Sequence, residues 1–323
     1  MNSTIQILEF IQPDIDAVDR LMASQTDFNH PDLVSALSHI LSSGGKRIRP
    51  AMTLLIGKHL GADSERLITL AAAIEMLHTA TLVHDDLIDG SLLRRGIPTL
   101  NAKWTPGATV LTGDFIFARA AKLAADTGSL PVMTLFAQTL STIVNGEIVQ
   151  LFSSRCNLSR EDYFQRIYAK TASLFETTCS TAAIIAGVEP AQIEASRQFG
   201  YHLGMAFQII DDILDFTGEQ ATLGKPVGSD LQQGIITLPT IIFVNQHPSL
   251  PIVKDMIAGK CIYGDPRLPE LVTEISESTA PKLAREEATE WVDKGISALM
   301  QLPEGKYRDQ LQMLAYYSTG RYS

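Results

Sequence analysis

An all-α fold built as a single domain is what this sequence predicts, and two observations carry the prediction. Apolar residues recur at three- and four-residue steps almost from end to end, which is the period of a helix with one buried stripe. Between these runs lie short clusters of glycine, proline and polar residues, with no linker, low-complexity segment or repeat. The run Ile235 to Val244 is β-branched and would suit a strand. A lone strand in a helical chain has no partner, so a helix is expected there.

The elements follow in order. Leu8, Ile11, Ile15, Val18 and Met22 form the first stripe. Pro31-Asp32 opens a second helix with Leu33, Leu37, Ile40 and Leu41 on one face, stopping at Ser42-Ser43-Gly44-Gly45. A third starts near Pro50, since proline suits a first helical turn, and ends near Gly61. A fourth runs from Ser64 to Leu87 or beyond. Asn101 to Gly107 is a connection holding Trp104 and Pro106. Helical pattern resumes over about 108–125, 130–152 and 159–186, the last opened by Ser159 as N-cap with Glu161 and Asp162 in the first turn. Another helix covers about 190–216. Residues 217–234 are glycine-rich and polar, hence a loop. Helices over about 268–276, 280–301 and 306–318 complete the chain.

The 323 residues are 45% hydrophobic and 19% charged, an ordinary globular balance with enough chain for a large core. A net charge of −10 argues against a nucleic-acid surface but leaves room for a local basic pocket. Cys156, Cys179 and Cys261 are odd in number and widely spaced, so no disulfide framework or zinc site is expected and a reducing cytoplasm is. Met1-Asn2-Ser3-Thr4 shows no basic region followed by an apolar run, so no signal peptide is expected. No stretch is expected to reach the roughly 18 apolar residues that span a bilayer.

Two motifs stand out. Asp85-Asp86-Leu87-Ile88-Asp89 and Asp211-Asp212-Ile213-Leu214-Asp215 share the form Asp-Asp-x-x-Asp, and each closes an apolar helix. Residues four apart share a helical face, so Asp85 pairs with Asp89 and Asp211 with Asp215. Unpaired, such carboxylates repel. Magnesium relieves this, because it binds through one or two carboxylates plus substrate phosphates. One such motif alone reads as a solvated helix end; two beside apolar helices and basic residues do not. Phosphate sites follow from Gly44-Gly45-Lys46-Arg47-Ile48-Arg49-Pro50, Arg94-Arg95-Gly96, Lys170-Thr171 and Lys225-Pro226.

With Gly146-Glu147, Gly204-Met205-Ala206-Phe207-Gln208 and Gly224-Lys225-Pro226 added, these markers resemble the trans-isoprenyl diphosphate synthases, the polyprenyl synthetase family, over nearly the whole chain. The resemblance implies an antiparallel helical bundle around a deep apolar cavity. It implies head-to-tail, trans elongation of an allylic diphosphate by isopentenyl diphosphate, with diphosphate released. It implies that Asp85 and Asp89 bind two Mg2+ with Asp86 supporting, and that Asp211 holds a third with Asp212 and Asp215 nearby. Arg94, Lys170 and Lys225 should contact the leaving diphosphate. Lys46, Arg49, His78 and Arg95 should hold isopentenyl diphosphate, and Thr171 and Gln208 should line the allylic cation. His84 reads as structural. A homodimer and a cytoplasmic location complete the expectation.

Product length should be set by the cavity floor. Ala80 and Thr81, one turn before Asp85, are small where short-chain relatives place an aromatic, with Met76 in the next layer. This favours a medium or long product, about C30 to C50; Phe136, Leu140 and Ile143 could instead supply the floor and leave a C20 or C25 product. Two positions depart from the family pattern: Ile235 stands where lysine is common, and Gln233 where an acid is. A class I terpene cyclase and a non-catalytic subunit are the competing readings. The second aspartate motif and Lys46 with Arg49 weigh against the first, and the six retained aspartates against the second.

Overall fold

The computed structural model describes residues 10–25, 30–42, 45–94, 96–152, 156–218, 226–318 and 320. Its elements are α1 (Gln12–Ser24), α2 (Pro31–Ser42), α3 (Ile48–His59), α4 (Ser64–Ile88), a hairpin of β1 (Leu93–Arg94) and β2 (Ile97–Pro98), α5 (Leu100–Lys103), α6 (Pro106–Asp126), α7 (Leu130–Phe152), α8 (Arg160–Ile167), a π-turn (Tyr168–Ala172), α9 (Ser173–Ala186), α10 (Pro190–Thr217), α11 (Ser229–Gln232), α12 (Leu238–Gln246), α13 (Pro251–Ile257), α14 (Leu268–Glu277), α15 (Ala280–Leu299) and α16 (Lys306–Ser318). The fold class is therefore all-α, as the periodicity requires. The β-branched run is helical from Leu238 onward.

The packing falls into two compact units. The first comprises Met1–Thr139, Leu174–Gly200 and Ile296–Ser323, and the second Leu140–Ser173 and Tyr201–Gly295. No linker marks the division because α7, α10 and α15 each lend residues to both.

In the first unit α4 is the central helix. The Asp63 side chain caps it by accepting from the Arg66 N–H at 2.9 Å. Most of its residues from Leu67 to Ala80 are buried, including Leu70, Ile74 and Leu77, with α1, α3 and α6 packed against it. A helix apolar on every side belongs in a core. Each such leucine or isoleucine contributes roughly 1.5–3 kcal/mol through burial. By length and composition α4 and α7 could each cross a bilayer, contrary to the sequence expectation. α4 is largely buried inside its unit, whereas most of α7 is not.

The second unit packs Tyr163, Ile167, Met205, Ile209, Phe216 and Ile241 into one core. Cys156 and Cys261 form a disulfide across 105 residues of sequence, with Cα atoms 5.1 Å apart. This overturns the expectation drawn from their spacing, since chain separation says nothing of separation in space. Cys179 is buried and free.

Candidate active site

Both aspartate motifs occupy helix C-terminal ends, α4 for the first and α10 for the second, and neither helix carries a basic residue in its last turn. The helix dipole is negative there, so carboxylates at these positions need cations from elsewhere.

In the first unit Arg94 supplies one. The tight hairpin after α4 returns it to Asp86, closed at its base by the Thr99 hydroxyl donating to the Ser91 carbonyl at 2.7 Å. Arg94 Nε donates to both carboxylate oxygens of Asp86, at 2.9 and 3.1 Å, and Nη2 lies 2.8 Å from Oδ1. Asp86 is only 8% exposed and is committed to this fork. Asp85 is half-buried and Asp89 exposed. The pair expected on one face is therefore the pair left accessible. His84 packs on Phe117 of α6 and lies 3.2 Å from the Val110 carbonyl, a structural placement.

The basic loop before α3 separates into different roles. Lys46 is exposed. Arg47 has a left-handed backbone (φ 47°) and pairs with Glu75 and Asp19, each at 3.0 Å, so it ties the loop to α4 and α1. Arg49 lies over the Phe175 ring, 4.7 Å from its centroid, and its buried Nε has no hydrogen-bond partner. Burial pulls its pKa down to about 10, partly offset by Glu75, so it stays cationic at neutral pH. His78 is half-buried on α4. Of the chain-length residues, Thr81 is half-buried while Ala80 and Met76 are fully packed. Met76 lines a small apolar pocket with Met22, Leu37, Ile40, Thr79 and Ile116.

In the second unit Lys170 and Thr171 sit on the π-turn, a one-residue bulge that interrupts the helix expected over 159–186. Gly146 of α7 admits the turn, because a Cβ there would lie 2.6 Å from the Ala169 methyl. Lys170 is exposed and donates to Glu147 at 2.8 Å. Thr171 donates to Gln208 Oε1 at 2.6 Å, and Gln208 Nε2 donates to Asp212 Oδ1 at 2.9 Å. The other oxygen of Asp212 accepts from the Tyr163 hydroxyl at 2.8 Å. Burial, with the charge of Asp230, pushes the Asp212 carboxyl up to about 7 against the pull of these hydrogen bonds. Burial and Asp212 raise the Tyr163 phenol well above its ordinary value, so it remains a donor.

Asp215 is 1% exposed. Its Oδ1 accepts from the Ser229 hydroxyl at 2.9 Å and its Oδ2 from the Asp230 N–H at 3.2 Å. Gly228 brings this segment in: its φ is +68°, its N–H reaches the Asp215 carbonyl at 2.7 Å, and a Cβ would strike Val272. Asp211 alone of this motif is exposed. The i, i+4 rule predicts that Asp211 and Asp215 point the same way; in the structure one is exposed and the other is buried. Arg95 and Lys225 lie outside the described residues. Ile235 is half-buried, and Gln233 is exposed.

The polyprenyl synthetase family model matches residues 30–263. The chain is 36% identical to the octaprenyl diphosphate synthase of Escherichia coli K12 over 320 residues, 98% of each chain. It is 39% identical to the all-trans-nonaprenyl-diphosphate synthase (geranyl-diphosphate specific) of Rhodobacter capsulatus, over 98% of this chain and 97% of that one. A polyprenyl synthase from Caulobacter crescentus, solved with calcium and isoprenyl diphosphate, superimposes with a TM-score of 0.91 at 34% identity, covering 99% of this chain and 98% of that one.

The chain belongs to the polyprenyl synthetase family. It is a prenyltransferase, with the all-α fold of that family. In this polyprenyl synthetase, sequence reasoning missed Tyr163, Ser229 and the Arg94 clamp on Asp86. A buried tyrosine in an amphipathic helix looks like core, and no local signal distinguishes it. Among the described residues, no three His, Cys, Asp or Glu side chains gather closely enough to hold a metal unaided. The accessible donors are hard carboxylate oxygens in pairs or alone, which fits Mg2+ completed by substrate phosphate oxygens.

Proposed function

We propose that this polyprenyl synthetase is a Mg2+-dependent trans-prenyltransferase that condenses isopentenyl diphosphate with an allylic diphosphate, head to tail, to a medium or long polyprenyl diphosphate of about C30 to C50. The observation that carries the reading is that Asp85, Asp89 and Asp211 keep solvent exposure, Asp85 in part, at the negative ends of α4 and α10, without a basic residue in either last turn. By the family resemblance, Asp85 and Asp89 would hold two Mg2+ and Asp211 a third. When bound, Mg2+ neutralises charge developing on the leaving diphosphate.

The chain's own residues do the rest. Arg49, stacked on Phe175 with an unpartnered Nε, offers a desolvated cation to the diphosphate of isopentenyl diphosphate, with Lys46, His78 and Arg95. Arg94, Lys170 and Lys225 bind the leaving diphosphate. Thr171 and Gln208 turn oxygen atoms toward the allylic carbons as positive charge develops there. The released diphosphate accepts the final proton, so no side-chain base is needed. The names of the E. coli and R. capsulatus relatives, octaprenyl and nonaprenyl, support the length assigned from Ala80, Thr81 and Met76.

The enzyme works as a homodimer. On α7, Val144, Ile148, Val149, Leu151 and Phe152 are exposed, Phe152 by 85%, which is unusual for a face in contact with water alone. Sedimentation should give twice the monomer mass; a monomer at micromolar concentration overturns this.

The reaction is tested by supplying radiolabelled isopentenyl diphosphate with each of several allylic diphosphates, with and without Mg2+. Metal-dependent incorporation is expected, and chromatography should show products of about C30 to C50. Ala80→Phe should shorten them. No incorporation from any primer would sink the reading.

A further inference from the structure

Tyr163, Asp212, Gln208 and Thr171 form one hydrogen-bonded chain whose direction is set by geometry. Asp212 accepts at both oxygens, from Tyr163 and from Gln208. Gln208 must therefore turn its N–H toward Asp212, which turns its Oε1 toward Thr171. With Oε1 facing it, the Thr171 hydroxyl must donate, leaving its lone pairs pointing away from the chain. The inner end is closed by Tyr163, whose hydroxyl takes the second oxygen of Asp212. Asp212 is 4% exposed and Tyr163 1%, so water cannot stand in for either partner.

We propose that Tyr163 is a positioning residue for the prenyl transfer: through Asp212 it fixes the amide of Gln208 and the hydroxyl of Thr171 so that both present oxygen to the reacting allylic carbons. This rests on the assignment of Thr171 and Gln208 to the allylic substrate. Asp212 then anchors the chain and does not ligate metal, unlike Asp211 beside it. The dipoles are oriented before reaction, so they stabilise developing positive charge without reorganising. Tyr163 itself touches neither substrate. It lies on α8, held by the Ser159 cap, which accepts from the Asp162 N–H at 3.1 Å. Thus α8 transmits its position to the π-turn residue through α10.

Removal of the phenol hydroxyl leaves Asp212 Oδ2 unpaired in the interior and lets the carboxylate and the amide turn. The experiment measures Tyr163→Phe, Asp212→Asn and the double variant. Each single variant should lower kcat by about tenfold to a hundredfold with KM for both substrates nearly unchanged. Calorimetric affinity for a non-reactive allylic thiolodiphosphate with Mg2+ should stay within about twofold, since no ligand contact is removed. The double variant should be no slower than the slower single, because one chain is broken once. Multiplying losses in the double variant would overturn the proposal. So would an unchanged kcat, a raised KM with weaker analogue binding, or a loss that disappears at a temperature where the variant is fully folded. Failure of the proposed function looks different: the unmodified enzyme would then incorporate no isopentenyl diphosphate. If Asp212→Asn does not fold, Tyr163→Phe alone still decides by its kcat, KM and analogue affinity.

Discussion

The two Asp-Asp-x-x-Asp motifs have one pattern and two structural outcomes. At the end of α4 the middle aspartate is taken by Arg94, and Asp85 and Asp89 stay accessible. At the end of α10 two of three are taken, Asp212 by Tyr163 and Gln208, Asp215 by Ser229 and Asp230. Asp211 is the exposed one of the three. Helical spacing decides which residues share a face of an isolated helix. What packs on that face decides which carboxylates are left for a ligand. The second motif lies where α8 and the 228–230 segment pack over α10, so two of its three carboxylates are buried.

This comparison can be broken or sharpened by experiment. Replacement of a carboxylate that keeps solvent exposure, Asp85→Ala or Asp211→Ala, should cost the most, about a thousandfold or more in kcat/KM, with little change in melting temperature. A large fall in Tm from Asp211→Ala would show it to be as structural as its neighbours. Next comes Cys261→Ser, or reduction of the Cys156–Cys261 disulfide. Cys156 N–H donates to the Gly234 carbonyl at 2.8 Å, close in sequence to the segment that holds Asp215. Loss of a cross-link over 105 residues should lower stability by up to about 4 kcal/mol while leaving the Mg2+ dependence of turnover unchanged. Denaturant titration with and without reductant measures it.

Asp215→Ala should lower unfolding free energy by about 2–3 kcal/mol, because Ser229 and Asp230 lose their buried acceptor. The Mg2+ concentration for half-maximal rate should not move; if it rises severalfold, Asp215 is a ligand and the asymmetry between the motifs collapses. Smallest is Arg94→Met. Its pairing with Asp86 is partly solvated, so about 1 kcal/mol of stability is expected to go. The larger effect should be a raised KM for the allylic diphosphate.

Much of this is legible in the sequence. The boundaries of α2, α4, α7, α10 and α16 follow from apolar period, proline and capping residues, which act within a few positions. Ser159 announced α8 for the same reason. The π-turn at Tyr168–Ala172 was not announced: it inserts one residue into a continuous apolar pattern, and the close approach of Gly146 that accommodates it comes from far along the chain. The hairpin carrying Arg94 was missed because its strands are two residues long. α13, Pro251–Ile257, was missed because seven residues give too little period to read.

By itself, the sequence determined the helical class, the family, the two aspartate motifs and the cations near them, because each depends on residue type and short spacing. The tertiary structure alone decided that Asp86, Asp212 and Asp215 are buried while Asp85, Asp89 and Asp211 keep solvent exposure, that Arg47 ties down a loop while Arg49 stacks on Phe175 with its Nε unpartnered, and that Cys156 meets Cys261. These outcomes depend on which distant segment packs against each side chain, and the hydrogen bond and burial that result have no counterpart in local spacing.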